Sequence, residues 1–475
     1  MRTIRMIKLT LYALITAMVA PSCQSVNSKK DKQEVVVSDT SAFLDDLKLK
    51  TFTYFWEVVD TNTWQHDDRH PTRNFTSIAA TGFALPAYII GVENGFIDRG
   101  QAADRVLRTL RWLWKSPQGA EPQGMSGHKG LFYHFMNYDS GSRFKDVELS
   151  TIDSGILFGG ILVCQSYFDH DNLVEHEIRQ LADSLFLRAE WDWAMNNGST
   201  MSMGWKPESG FISSTWTGYN EAMLLIAMAL GSPTHPIADN AWDKWCETYE
   251  WCDFYGYEHV NFGPLFGHQY SHMFIDFRGI QDRYMFEKGI DYFENSRRAT
   301  LANRAYCIDN PRGFEGYGKN IWGLTACDGP AYTTIMVGGD SVIIREYHAR
   351  GAACGYFEDD GTIAPTAAGG SIPFAPEYCI PALMYMKDTY NNKLYDQYGF
   401  KDAFNPSFSE EGWFAPDYIG IDQGAILIQL ENHQTGLIHN LMKKNKYIRN
   451  GLRKAGFTGG WLEDEMYKDT KKSTL

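Results

Sequence analysis

Ser150-Thr151-Ile152-Asp153-Ser154-Gly155-Ile156-Leu157-Phe158-Gly159-Gly160-Ile161-Leu162-Val163-Cys164 is apolar on every side once Asp153 is passed. A run of this length and character predicts a helix over about 151–168 that is buried nearly all round. Two other stretches have the same form. They are Thr217-Gly218-Tyr219-Asn220-Glu221-Ala222-Met223-Leu224-Leu225 and Tyr418-Ile419-Gly420-Ile421-Asp422-Gln423-Gly424-Ala425-Ile426. Each sets one acid at the start of an apolar helical run. An acid in that position costs free energy unless it has a partner or a task. Three of them suggest carboxylates gathered at one end of a ring or bundle of helices, which is how a helical glycosidase would display its catalytic pair.

The rest of the chain is also helical in pattern. Ala103, Val106, Leu107, Leu110, Leu113 and Trp114 form the stripe of an amphipathic helix with a charged outer face. Further helices are expected at about 41–58, 76–91, 171–195, 219–230, 236–247, 281–303, 375–389 and 422–443. Val342–Tyr347 is the one strand candidate. No Pro-rich or Gly/Ser linker follows residue 40, so 41–475 reads as a single all-α domain. Inner helices buried on both sides, alternating with outer helices that face water, describe an (α/α)6 toroid or barrel. Its site would be built from the long Gly-rich aromatic connections, such as 124–134 and 314–323.

The net charge of -14 argues against a nucleic-acid or anionic-membrane partner, because a phosphate backbone needs a basic face. The aromatic content, with 14 Trp and 26 Tyr, suits sugar-binding platforms and equally suits a large core. Residues 1–23 read as a lipoprotein signal peptide. Arg2, Arg5 and Lys8 precede an apolar stretch, and Ala20-Pro21-Ser22-Cys23 resembles a lipobox with Cys23 as the lipidated residue. Residues 24–40 read as a disordered tether. These features predict a lipid-anchored protein in the periplasm or on the outer membrane. Seven cysteines then remain, with no CxxC pair. Most are expected as buried thiols, and Cys307 with Cys327 is the one pairing considered.

Several motifs, taken in order, carry a family resemblance. They are Glu148-Leu149-Ser150-Thr151-Ile152-Asp153, His272-Met273-Phe274-Ile275-Asp276-Phe277-Arg278, Phe374-Ala375-Pro376-Glu377, and Gly420-Ile421-Asp422-Gln423-Gly424 with Glu431-Asn432. Over about residues 45–455 the chain resembles the glycoamylase-like bacterial proteins grouped with the endo-β-1,2-glucanases of glycoside hydrolase family 144. The resemblance implies an (α/α)6 fold and anomer-inverting endo-hydrolysis of β-1,2-glucan to sophorooligosaccharides. Its rivals are an exo-acting, sophorose-releasing or transglycosylating enzyme, an α-glucan hydrolase on the same fold, and a non-catalytic glucan-binding lipoprotein. A monomer acting on the polysaccharide without cofactor or metal is expected.

Inverting hydrolysis needs a protonated and an ionised carboxyl about 6.5–9.5 Å apart. Glu221, beside Trp216 and Tyr219, is the expected acid, since an aromatic, desolvated setting raises its pKa. The base candidates are Asp153, then Asp422, then Glu148. Asp153 also reads as an ordinary cap acid, and Asp422 also as a sugar-hydroxyl ligand. His268, His272 and Asp276 have i, i+4, i+8 spacing, read as sugar contacts or a structural network in preference to a metal site. Arg278 is expected to pair with Asp276 or to bind hydroxyls. Glu377 is either a helix-start acid or a sugar ligand. Tyr219 is also assigned to substrate binding. Trp216, Tyr270, Trp322 and Trp413 are candidate platforms, with core packing the alternative for each.

Overall fold

Helix Ile78–Glu93 is buried along almost its whole length because its neighbours approach backbone to backbone. A Cβ at Gly160 would lie 2.1 Å from the Gly82 carbonyl oxygen, so this crossing with helix Thr151–Tyr167 requires glycine. Helix Gly420–Gln434 packs on the other side of Ile78–Glu93. The contacts continue from Thr151–Tyr167 to Met223–Gly231, and from there to Tyr270–Phe274. Both Tyr270–Phe274 and Pro365–Gly369 then touch Gly420–Gln434, which closes the circuit. Outside it, Arg99–Lys115 packs on Leu173–Leu187 through its apolar stripe. Asp98 and Gln101 close a capping box at the start of Arg99–Lys115.

This computed structural model describes residues 28–467. Among these, the residues from Leu44 onward form one compact unit, and the described residues up to Phe43 belong to another. The first described helix, Ser28–Glu57, begins inside the stretch expected as a tether. The expected signal peptide and Cys23 lie outside the described residues. No described helix is long and apolar enough to cross a membrane.

Three expected helices are each two. Residues 281–303 break at Gly289, whose φ of 72° ends Arg283–Lys288 before Tyr292–Asp309 begins. Residues 171–195 divide into Leu173–Leu187 and Trp191–Ala194, and 422–443 into Gly420–Gln434 and Leu437–Lys444. The all-α expectation needs correction in the connections. Among the described residues these form two three-stranded and eight two-stranded sheets. Most of the strands are too short to show an alternating pattern in sequence. They exist because long connections packed on a core must pair their backbone groups. Val342–Tyr347 falls partly in strand Asp340–Ile344, which pairs with Thr333–Val337. The considered cysteine pairing is also corrected. Cys307 and Cys327 are buried free thiols, and the disulfide joins Cys252 to Cys354.

Candidate active site

The starts of helices Ile78–Glu93, Thr151–Tyr167 and Gly420–Gln434 meet at one cavity of about 270 Å³, lined by Ser77, Asp153, Ile421, Asp68, Arg69, His134 and Tyr347 among others. Asp153 is the third residue of its helix. Ser150 caps that helix by accepting the Asp153 N–H at 3.3 Å, and its hydroxyl donates to Asp153 Oδ2. His134 stands on the other side. Its Nε2 is 3.6 Å from Asp153 Oδ1, and its Nδ1 is 2.9 Å from Glu148 Oε1. Burial opposes a charge on this ring, but Asp153 and Glu148 outweigh burial and lift His134 to about 9. The ring is therefore an imidazolium between two carboxylates. Burial would raise Glu148, and the hydrogen bond from His134 more than offsets it, leaving Glu148 below its usual range.

Glu221 lies in the turn before Met223–Gly231, anchored by its own carbonyl, which accepts from Ser271 Oγ at 2.6 Å. Among the described residues no other side chain holds its carboxyl. Burial raises it to about 7, and the Asp153 charge adds to the rise. Glu221 keeps partial solvent access, so its carboxyl is desolvated by surrounding protein without being sealed off.

Asp422, the third residue of Gly420–Gln434, meets Asp402 side chain to side chain. Both are buried, and two touching carboxyls cannot both ionise at low cost. Burial, then the partner's charge, pushes Asp422 far up. Burial, then Asp328, lifts Asp402 to about 7. Asp402 Oδ2 accepts the Asp328 N–H at 2.7 Å. The pair therefore resists double ionisation, and Asp422 is the carboxyl that stays protonated longer as pH rises. Arg69 bridges Asp68 at 3.2 Å and Asp328 at 2.7 Å, tying this pair to the cavity wall.

Of the expected site residues, the structure gathers Asp153, Glu221, Asp422, Glu148 and Tyr270 at this end. Tyr270 feels the charges of Asp422, Glu221 and Asp153. The others go elsewhere. Trp216 is buried and donates Nε1–H to Thr151 Oγ1. Tyr219 is buried against His268 and Tyr292. Trp322 is 0% exposed, so it offers no face to a sugar. Trp413 is half-buried on the cluster of Cys327, Ala364, Ala403 and Ala415. His268 is also fully buried. Burial pulls it down to about 3, and its Nε2 lies 3.1 Å from the Phe262 carbonyl. His272 Nε2 is buried against Ser296 Oγ at 3.0 Å. The two histidines thus serve the core and do not act as sugar ligands. Arg278 holds Asp276 at 2.7 and 3.0 Å and lies near His433, about 16 Å along the helix from Asp422 at 1.5 Å per residue. Glu377 pairs with Arg297 at 2.6 Å on the surface. Apolar character is shared by platforms and cores, so sequence could not separate the two uses.

Asp68, Arg69, His134, Asp328, Tyr347 and Asp402 are site residues that sequence reasoning missed. All lie in connections whose pairing is long-range; His134 stood within the 124–134 connection and Tyr347 at the end of the strand candidate Val342–Tyr347, and neither was read as a site residue. A larger hollow of about 400 Å³ lies beside Trp242 and Tyr284. Its buried acid, Asp282, is fully engaged by Met285 N–H, Trp242 Nε1 and the Tyr292 hydroxyl.

Carboxyls of opposed protonation at the mouths of buried helices define a helical carboxylate site of the glycosidase type. The chain belongs to the glycoamylase-like family. The family model described as Glycoamylase matches residues 213–446. A Bacteroides uniformis structure of the same glucoamylase description is 34% identical. It covers 89% of this chain and 98% of its own, with a TM-score of 0.77. An endo-β-1,2-glucanase from Chitinophaga pinensis, solved with sophorotriose and glucose, is 27% identical, with a TM-score of 0.78 over 89% of this chain and 99% of its own. An exo β-1,2-glucooligosaccharide sophorohydrolase (non-reducing end) from Parabacteroides distasonis is 28% identical over 466 residues, 90% of this chain. The chain spans 60% of that relative's length.

Proposed function

We propose that this protein hydrolyses β-1,2-glucan inside the polymer, with inversion at the anomeric carbon. The carrying observation is that burial and the charge of Asp153 raise Glu221 to about 7, while the two oxygens of Asp153 face Ser150 and the His134 cation. Glu221 donates its proton to the glycosidic oxygen as that bond breaks. Asp153 takes a proton from a water that attacks the anomeric carbon from the opposite face. Asp422 is poorly placed to be the base, because burial and the neighbouring Asp402 hold it protonated. It suits a sugar hydroxyl instead. Glu148 commits an oxygen to His134 and fixes that ring.

The β-1,2 linkage is supported by the descriptions of the Chitinophaga and Parabacteroides relatives. The closed circuit of buried helices supports an (α/α)6 toroid. The Parabacteroides relative favours a second reading, exo-release of sophorose. Extracytoplasmic anchoring belongs to the same proposal, and the Cys252–Cys354 disulfide supports an oxidising compartment.

Product analysis on linear β-1,2-glucan, with starch and β-1,3-glucan as controls, tests these readings. Endo action gives a ladder of sophorooligosaccharides from the first minutes, and exo action gives sophorose alone. No new reducing ends from the β-1,2 polymer would leave only a glucan-binding role.

A further inference from the structure

Tyr347 lies in the turn between strands Asp340–Ile344 and His348–Ala349. It lines the same cavity as Asp68, His134 and Asp153, yet 51% of its surface is exposed. Trp216, Tyr219 and Trp322 are at most 6% exposed, so they present no ring to a ligand. Among the described residues the Tyr347 hydroxyl has no hydrogen-bond partner. Burial of its inner side, then Asp422, Asp402 and Asp68, keeps the phenol protonated, so it faces these acids as a donor.

An exposed ring on a loose loop would mean little, but this turn is clamped. Arg350 is 0% exposed. Its Nε and Nη2 donate to the two oxygens of Asp360 at 2.7 and 2.9 Å. Its remaining donors go to the carbonyls of Arg345 at 2.9 Å, Glu346 at 3.2 Å, His348 at 3.4 Å and Cys327 at 2.7 Å. Three of those carbonyls flank Tyr347 on both sides. Asp360 also accepts the Arg345 N–H at 3.0 Å. A buried guanidinium is costly unless every donor is used. Here three of its six hydrogen bonds to oxygen fix the backbone on either side of one exposed ring.

We infer that Tyr347 is a substrate-contacting residue that stacks on a glucosyl ring beside the acids, and that Arg350 and Asp360 are the positioning residues that hold it there. A flat ring against the apolar face of a pyranose, with a hydroxyl free to donate, suits a β-linked glucose unit. The inference rests on the β-glucan reading proposed above.

The test compares Tyr347→Ala, Tyr347→Phe, Asp360→Asn and the Tyr347→Ala/Asp360→Asn double variant of the full chain. KM and kcat are measured on β-1,2-linked glucose oligosaccharides, with Tm as the folding control. Kd for the same oligosaccharides is measured by calorimetry on a Glu221→Gln background. Tyr347→Ala should raise KM and Kd about tenfold, ~1.4 kcal/mol, with Tm unchanged. Tyr347→Phe should lose less, because the stack survives. Asp360→Asn should raise KM and add little once Tyr347→Ala is present, whereas a purely structural role would add in full. Unchanged KM and Kd in Tyr347→Ala, or full additivity in the double variant, overturns the inference. A wild type that binds but does not cleave defeats the hydrolase reading alone, and Tyr347 is then judged by Kd. A wild type that neither cleaves nor binds defeats both.

Discussion

Trp216 donates its indole N–H to Thr151 Oγ1 at 2.8 Å, and this bond ties the segment that carries Glu221 to the helix start that carries Asp153. Thr151 passes the connection on through its hydroxyl to the Ser202 and Met203 carbonyls, at 2.9 and 3.1 Å. The segments of both acids are thereby held by one buried link, five residues before Glu221 and two before Asp153.

Trp216→Phe keeps most of the packing and removes the N–H. It should cost about 1 kcal/mol of stability. It should also lower kcat more than it changes KM, because the spacing of the two acids matters in the transition state. Denaturant midpoints and steady-state kinetics check this. A fall in stability with kcat intact would mean the link serves the fold only.

Glu221→Gln should lower kcat by about a thousandfold, ~4 kcal/mol of barrier, with oligosaccharide binding retained. The donor must be protonated, and Glu221 titrates at about 7. Wild-type kcat should therefore fall as pH rises through about 7. A kcat profile flat from about pH 5 to 9 would remove Glu221 from that role.

His134 is raised to about 9 from an ordinary value of 6.5. The folded state binds its proton more tightly than the unfolded chain. The stability it contributes is thus complete below about 6.5 and is lost as pH rises to about 9. His134→Gln should flatten the fall in Tm over that window. It should also reduce kcat, since Asp153 loses its cationic neighbour. An equal fall in Tm in both proteins would show that His134 is not the titrating group.

Asp402 is raised to about 7 from 3.8. The unfolded chain gives up this proton first, so stability falls as pH rises from about 4 to about 7. Asp402→Asn removes the second carboxyl and leaves Asp422 a neutral partner. The variant should lose less Tm than wild type between about pH 4 and 7. Parallel Tm curves would mean that Asp402 is not the titrating group.

Asp153, Glu221 and Asp422 were legible in sequence because each interrupts a local pattern, one charge at the head of an apolar helical run. That pattern depends only on near neighbours, so it also fixed the helical class and the buried inner helices. His134, Asp402 and Tyr347 were not legible, since each gains its meaning from partners on other segments. His134 lies between Glu148 and Asp153, Asp402 against Asp422, and Tyr347 in a turn gathered by Arg350. Residue type alone also could not say which aromatics stay exposed. Trp322 and Tyr347 are both large rings in Gly-flanked or irregular connections, yet one is sealed and the other open.

The cysteines mark the same division. Sequence by itself determined an acidic chain of buried and amphipathic helices with acids at three helix starts. Tertiary structure alone decided that Cys252 meets Cys354 across 102 residues, that Asp422 is buried against Asp402, and that burial and the charge of Asp153 raise Glu221. Helix formation follows from contacts a few residues apart, whereas a pKa or a pairing depends on charges and surfaces that only the closed fold brings together.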